Sequence, residues 1–597
     1  MHAGRFAPGA GVGRRLVRSL LVPLVIALPP LFWVAEATRR ASLTPLGRDQ
    51  GIFQYVAWAL RHGAVDYRDV RDVNGPLTHL VHWAFLWLGG ADEHRFRVLD
   101  LVVTGLSFAA VGACLPGLRS RRCPDAVERL AWAVAAWVVL SGQYLLYDYW
   151  HQAQRESFFD WFLLPGVALQ LVAQAPWRGA DSPRRRHVLL AASGALSVIP
   201  WFGKPTYVLF TLAQLAALLA DEGFVRSGSG AIGGTGLPRR RAVLAFALGG
   251  LAGAATQLAF LAAFGDARAY LHLQLVDVPE MYRFIWPRAA ADMFSEPWRA
   301  SQAIFAITGS AVLLALVALG EMPRRVLAVA LLPLCALGSV VVQAKGFPYH
   351  FHPVTAGVSL QWLLLASWLT ERTRVARRDR ALVRLVPVAF GVAVALRVAT
   401  SMEDSPPVRA TWLLWGASTP QERTTREYFA HFPEPDFFPF ELRQTAEYLR
   451  EHTTTRDRVQ TYGMDPYVLF LAGRASATPY IYAYDLNADA ALGGGTGGRP
   501  DDEQASRIRA MRDAHEADLL ARVRAAPPAA FVFIDGSPLM TESDAWEDFA
   551  DHCARAASWV RERYRETARF GHDHVWMRRD LEPDDSEPDQ EPAPATP

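Results

Sequence analysis

The chain has 597 residues, more than one ordinary domain accommodates. Its hydrophobic content of 51% and mean hydropathy of +0.08 are high for a soluble protein and low for a purely embedded one, so a membrane portion joined to a soluble portion is expected. A net charge of +2 excludes the basic field of a nucleic-acid-binding protein, and four scattered cysteines (Cys114, Cys123, Cys335, Cys553) give neither a zinc spacing nor a disulfide framework.

Arg5, Arg14, Arg15 and Arg18 precede an apolar run, Leu20–Val34. Pro29-Pro30 and bulky Phe-Trp stand where a signal peptide would carry a small-residue cleavage site, so a retained anchor is expected. Ten further apolar runs follow, at Val98–Leu115, Leu130–Leu146, Phe158–Ala173, Val188–Phe202, Tyr207–Ala220, Ala242–Phe264, Ala303–Leu319, Val326–Val342, Val354–Leu369 and Leu382–Ala399. Arginine clusters at 119–122, 184–186, 239–241, 324–325 and 372–378 fall between alternate runs. Eleven spans put all of them on the cytoplasmic side with the N-terminus. The count requires that Leu77–Leu88, which carries His79, His82 and Trp83, lie in the interface rather than span. The outer side then receives the stretch after the first span, Tyr147–Glu156, Gly203–Pro205, Gly265–Ala300, Gln343–His352 and everything after Ser401.

Beyond Ser401 the pattern changes. Helices are expected at Glu441–His452, Tyr467–Leu471 (ending at Gly473), Asp501–Arg524 and Ala545–Tyr564. Strands are expected at Arg458–Tyr462, Ala530–Asp535 and around Ala568 and Val575. The predicted architecture is a polytopic α-helical membrane protein of about eleven spans with interfacial helices, plus an extracytoplasmic α/β domain. Its parts are a transmembrane unit over 1–400 with an acidic outer loop at 37–97, the α/β domain over 401–580, and a disordered Asp/Glu/Pro tail over 581–597. Gly493–Gly498 reads as a flexible loop.

The candidate site residues cluster on the outer side. Asp49, in GRDQG, is a candidate catalytic base or substrate-positioning carboxylate, or an N-cap for a helix over Ile52–Leu60. Asp69 and Asp72, three apart in YRDVRDVNGP, can share a cation or bind sugar hydroxyls, or form a solvated pair with Arg68 and Arg71. Glu156 abuts a span, where a carboxylate is costly unless used or paired, and Arg155 is its local partner. The only lysines, Lys204 and Lys345, both fall at outer ends of spans in a chain otherwise biased to arginine. Lys345 and His350, in QAKGFPYHFHP, can grip a phosphate, or snorkel among interfacial aromatics. Arg283 and Arg288 lie in the amphipathic segment Gly265–Ala300. No phosphate-binding glycine loop, nucleophile elbow or HExxH motif is present.

RDQGIFQYVAWALRHGAVDYRDVRDVNGPL, RES at 155–157, QAKGFPYHFHP and DRVQTYGMDPYVLFLAGRASATPYI at 457–481 together resemble the GT-C superfamily of membrane glycosyltransferases. The resemblance is to the bacterial branch related to protein O-mannosyltransferases and lipid A aminoarabinose transferases, and it extends over most of the chain. The chain departs from that branch at Gln50, where relatives often carry an acidic residue, and at Asn74-Gly75-Pro76, where a Pro-Pro pair is common. The resemblance implies transfer of a sugar from a polyprenyl-phosphate donor to an acceptor hydroxyl on a glycan, lipid or protein, at the outer face of the cytoplasmic membrane. It implies no nucleotide cofactor and leaves a divalent metal open. A transporter or flippase of envelope substrates is the competing expectation, and its ionisable residues would lie mid-span.

Overall fold

The computed structural model describes residues 9–116, 124–175, 182–221, 238–375, 381–414, 417 and 419–581. Arg5, the arginines at 119–122, Cys123, part of the 372–378 cluster and the acidic tail beyond 581 lie outside the described residues.

Each of the eleven apolar runs is helical over most of its length, from the helix Gly9–Ala41 to the helix Ala381–Glu403. Among the described residues, six helices are long and apolar enough to cross a membrane: Leu20–Ala41, Glu93–Cys114, Arg239–Phe264, Pro297–Ala318, Arg324–Gln343 and Leu385–Glu403. The chain is thus a multi-pass membrane protein. Helix entries are capped where the sequence offers a short acceptor. Asp92 accepts from the Arg95 N–H at 2.9 Å, and Asp125 from the Glu128 N–H at 2.8 Å.

The segment after the first span forms two helices, Arg48–Arg61 and Pro76–Gly89, joined by a turn-rich link. The first begins four residues earlier than the apolar pattern predicts. Its N-cap is Gly47, whose N–H donates to the Gln50 side chain at 2.6 Å. Asp49 is therefore not the cap, and its carboxylate is left for other work. Gln50, fully buried, also donates to the carbonyls of Trp150 and Gln152, at 3.2 and 2.6 Å. It fixes the Tyr147–Glu156 loop beside Asp49.

The C-terminal region holds a five-stranded sheet in the order β2-β1-β3-β5-β4. Its strands are β1 (Arg458–Tyr462), β2 (Ala475–Ser476), β3 (Ala530–Ile534), β4 (Tyr564–Phe570) and β5 (Asp573–Arg578). β1 pairs in parallel with β2 and β3, while β5 runs antiparallel to β3 and β4. β3 is buried along its whole length, as a run of AFVFI between covered faces should be. The two-residue β2 is too short to leave a periodic signal, so the sequence analysis missed it. The single helix expected over Ala545–Tyr564 is two, Ala545–His552 and Ala554–Arg563, broken at Cys553.

This region docks onto the first loop. The ring of Tyr467 lies so near Gly51 that a Cβ there would stand 2.5 Å from it. Arg48 reaches across to Asp465, at 2.8 Å, and to Asp436. Arg71 bridges Asp277 at 2.6 Å and Asp485 at 2.9 Å. Asp277 closes a π-helical turn, Leu273–Asp277, within the segment Gly265–Ala300.

Candidate active site

Five outer-side segments of the sequence analysis converge on one cavity of about 590 Å³. Asp49 and Asp72 come from the first loop, His151 and Arg155 from the second, Tyr282 and Arg288 from the third, Lys345 and Tyr349 from the fourth, and Tyr482 and Tyr484 from the C-terminal region.

The acidic wall is a relay of side chains. His79, fully buried, places Nδ1 2.6 Å from Asp66 and Nε2 2.9 Å from Asp72. With both ring nitrogens facing carboxylates, the ring is an imidazolium donating to each. Burial pulls its pKa down, but the two carboxylates outweigh this and raise it to about 10. Burial works against the Asp72 carboxylate as well. Hydrogen bonds from His79 and Asn74 overcome it and hold Asp72 below the usual range. Burial pushes Asp49 above that range; Arg155 and Arg48 pull it back, and Asp72 and Glu156 push it up again. A carboxylate raised in this way is better matched to taking a proton near neutral pH.

The basic wall is built differently. Arg155 donates to Asn74 and, at 3.4 Å, to the hydroxyl of Tyr349. Its guanidinium lies 5.8 Å from the Tyr349 ring centroid. Lys345 lines the cavity and donates to the carbonyls of Tyr282, at 3.1 Å, and of Ile285 and Arg283. Burial lowers its pKa to about 8. Behind this wall Glu156 is fully buried and pairs with Lys204; His350 stands 3.5 Å away and Arg155 3.8 Å. Lys204 also donates to Gln343, and its pKa is lowered to about 7 by burial, against the pull of Glu156.

Of the sequence candidates, Asp49, Asp72, Lys345 and Arg288 line the cavity, and Glu156 and His350 sit together behind it. Asp69 does not line it. It accepts from the Val65 N–H and pairs with Arg68 on the surface, both at 2.8 Å, the local pair that was its alternative. Arg71 pairs with Asp277 and Asp485 instead. Arg283 turns away, its guanidinium 4.5 Å from the Phe284 ring centroid, and only its carbonyl meets Lys345. Sequence reasoning missed His79 as a bridge between aspartates. The spacing of Asp66, Asp72 and His79 was its one signal. It also missed Tyr482 and Tyr484, for which no local pattern exists.

No family model and no curated protein matches the sequence. Among solved structures, the chain is similar to an oligosaccharyltransferase, AglB from Archaeoglobus fulgidus, in complex with an inhibitory peptide and a dolichol-phosphate. The identity is 13% over 88% of this chain and 69% of that one, with a TM-score of 0.39. It is also similar to ArnT from Cupriavidus metallidurans. The form bound to undecaprenyl phosphate matches at 13% identity over 93% of this chain and 97% of that one, with a TM-score of 0.46. The apo form matches at 15% identity over 95% and 98%, with a TM-score of 0.44.

Proposed function

We propose that the protein is a membrane glycosyltransferase that moves a sugar from a polyprenyl-phosphate donor to an acceptor hydroxyl at the outer face of the cytoplasmic membrane. The observation that carries this reading is the single cavity joining Asp49, Arg155 and Lys345. A base stands in the same chamber as two cations, and group transfer from a lipid phosphate needs both.

The acceptor hydroxyl attacks the sugar C1 while Asp49 takes its proton. The bond between C1 and the phosphate oxygen breaks, and its electron pair stays on the lipid phosphate. Arg155 and Lys345 face the charge that grows there. Displacement in one step inverts the anomeric centre. Asp72, held ionised by His79, makes the Asp49 carboxylate a stronger base and offers an acceptor to sugar hydroxyls. In this reading, residues 1–400 are the catalytic membrane unit of eleven spans and residues 401–580 an outer domain that roofs the cavity. The transporter alternative calls for ionisable groups along a mid-span pathway, whereas the charges lining this cavity come from connecting segments.

Membranes carrying the protein, incubated with a panel of radiolabelled polyprenyl-phosphate sugars, should consume one donor and label an acceptor. No turnover of any donor, or turnover that persists in Asp49→Asn, would overturn the proposal.

A further inference from the structure

A second opening of about 560 Å³ adjoins the reaction cavity and shares Trp286, Arg288 and Phe347 with it. Its remaining wall is Pro287, Asp292, Ser295, Gly495 and Thr496. The chain at the junction is unusual. Trp286 has φ +47°, a left-handed conformation that a bulky residue adopts only under constraint.

The constraint is visible on both sides of it. Lys345 donates to the Ile285 carbonyl, the Arg288 N–H donates to Ala344 at 2.6 Å, and the Gly497 N–H donates to Pro287 at 2.8 Å. The Ala289 N–H meets the Thr496 hydroxyl at 3.2 Å. Gly493–Gly498, expected to be a flexible loop, is thus docked against this strip. A Cβ on Gly497 would stand 2.8 Å from the backbone of Arg288, so the approach requires glycine.

Backbone fastened in this way holds the indole in the open rather than burying it. Trp286 is 44% exposed. An aromatic face with planar polar groups (Arg288, Asp292) and hydroxyls (Ser295, Thr496) around it suits a pyranose ring. The apolar C–H face of such a ring packs on indole, and its edge hydroxyls need donors and acceptors. An acyl chain would leave the polar set unused.

The geometry points to this groove as the acceptor subsite, with Trp286 the platform on which a saccharide ring of a glycan acceptor stacks beside the cavity that holds Asp49. The inference rests on the glycosyltransferase reading and narrows its acceptor to a glycan.

The test uses the full chain in lipid nanodiscs on an array of immobilised oligosaccharides, which binds without donor or turnover. Wild type and Asp49→Asn should be retained by the same oligosaccharides, and Trp286→Ala should bind them about tenfold more weakly. Trp286→Gly should lose retention equally while melting no lower than wild type, because glycine relieves the left-handed strain. An array that retains no wild-type protein, or retains Trp286→Ala undiminished, overturns the subsite. Retention that depends on Trp286 with no lipid-linked sugar ever turned over would keep the groove and sink the transfer reading. Transfer in which Trp286→Ala raises only the donor KM would do the reverse, and would make Trp286 a membrane-surface anchor.

Discussion

The two walls of the cavity solve the same problem in opposite ways. The acidic wall is local. Asp66, Asp72, Asn74 and His79 come from one short stretch, and one imidazolium balances two carboxylates. The basic wall is assembled from Arg155 and Lys345, which are far apart in sequence, with the Lys204–Glu156 pair behind them, and its cations are held by carbonyls, an amide and Glu156. Charge in the first wall is locked to a partner. Charge in the second is restrained weakly enough for an incoming phosphate to replace carbonyl partners. The difference separates a wall that sets electrostatics from one that handles the leaving group.

The sharpest way to break this division is at Asp49, which belongs to neither network. Asp49→Asn should lower turnover by about 10²–10⁴-fold while leaving the melting temperature unchanged, measured by donor consumption and by thermal unfolding in detergent. Next in size is the acidic lock. His79→Gln leaves two buried carboxylates without their shared cation and should cost about 3–5 kcal/mol of stability. Its pH dependence has a definite sign. The folded pKa of His79, about 10, lies above the unfolded value, so the stabilisation is complete below pH ~6.5 and is lost as pH rises through about 10. Wild type should therefore melt at progressively lower temperature across that window, and His79→Gln should lose this slope.

On the basic wall the expected effect is smaller and selective. Lys345→Ala should reduce donor kcat/KM by about 10²-fold with the acceptor KM little changed, and Lys345→Arg should fall between the two. Burial holds this ammonium near pH 8, so wild-type donor affinity should decline above that pH and the arginine variant should not follow. Gly51→Val tests the roof, because its side chain must displace Tyr467; a cost of about 1–3 kcal/mol and faster proteolysis of the C-terminal region are expected. Asp69→Asn, at the exposed pair with Arg68, should change neither turnover nor melting.

What the sequence made legible follows the same division. Asp49 and Asp72 stand in a dense acidic-aromatic stretch, and the apolar runs are helices because their length and composition leave little choice. Lys345 stood out because lysine is scarce in this chain. His79 was legible only as an interfacial residue, since nothing local says that a side chain one turn into its helix points its ring between two loop carboxylates. Asp69 looked like its neighbour Asp72, and only the fold decides which of the two faces inward. Tyr482, Tyr484 and Trp286 were not legible as site residues at all. Their positions come from contacts between segments hundreds of residues apart, which neither periodicity nor spacing encodes.

The arginine bridges from the first loop to the C-terminal region carry a consequence in time. Arg48 lies 417 residues before Asp465, and Arg71 lies 414 before Asp485. At about 5–20 residues per second, synthesis brings each carboxylate into existence roughly 20–80 s after its arginine. Through that interval Arg48 has neither Asp436 nor Asp465 to pair with and Arg71 has at most Asp277, so the first loop must stay hydrated and open. The chamber is sealed only when the end of the chain arrives, and a chain that stops short of Asp436 carries its base and its cations in an unroofed cleft.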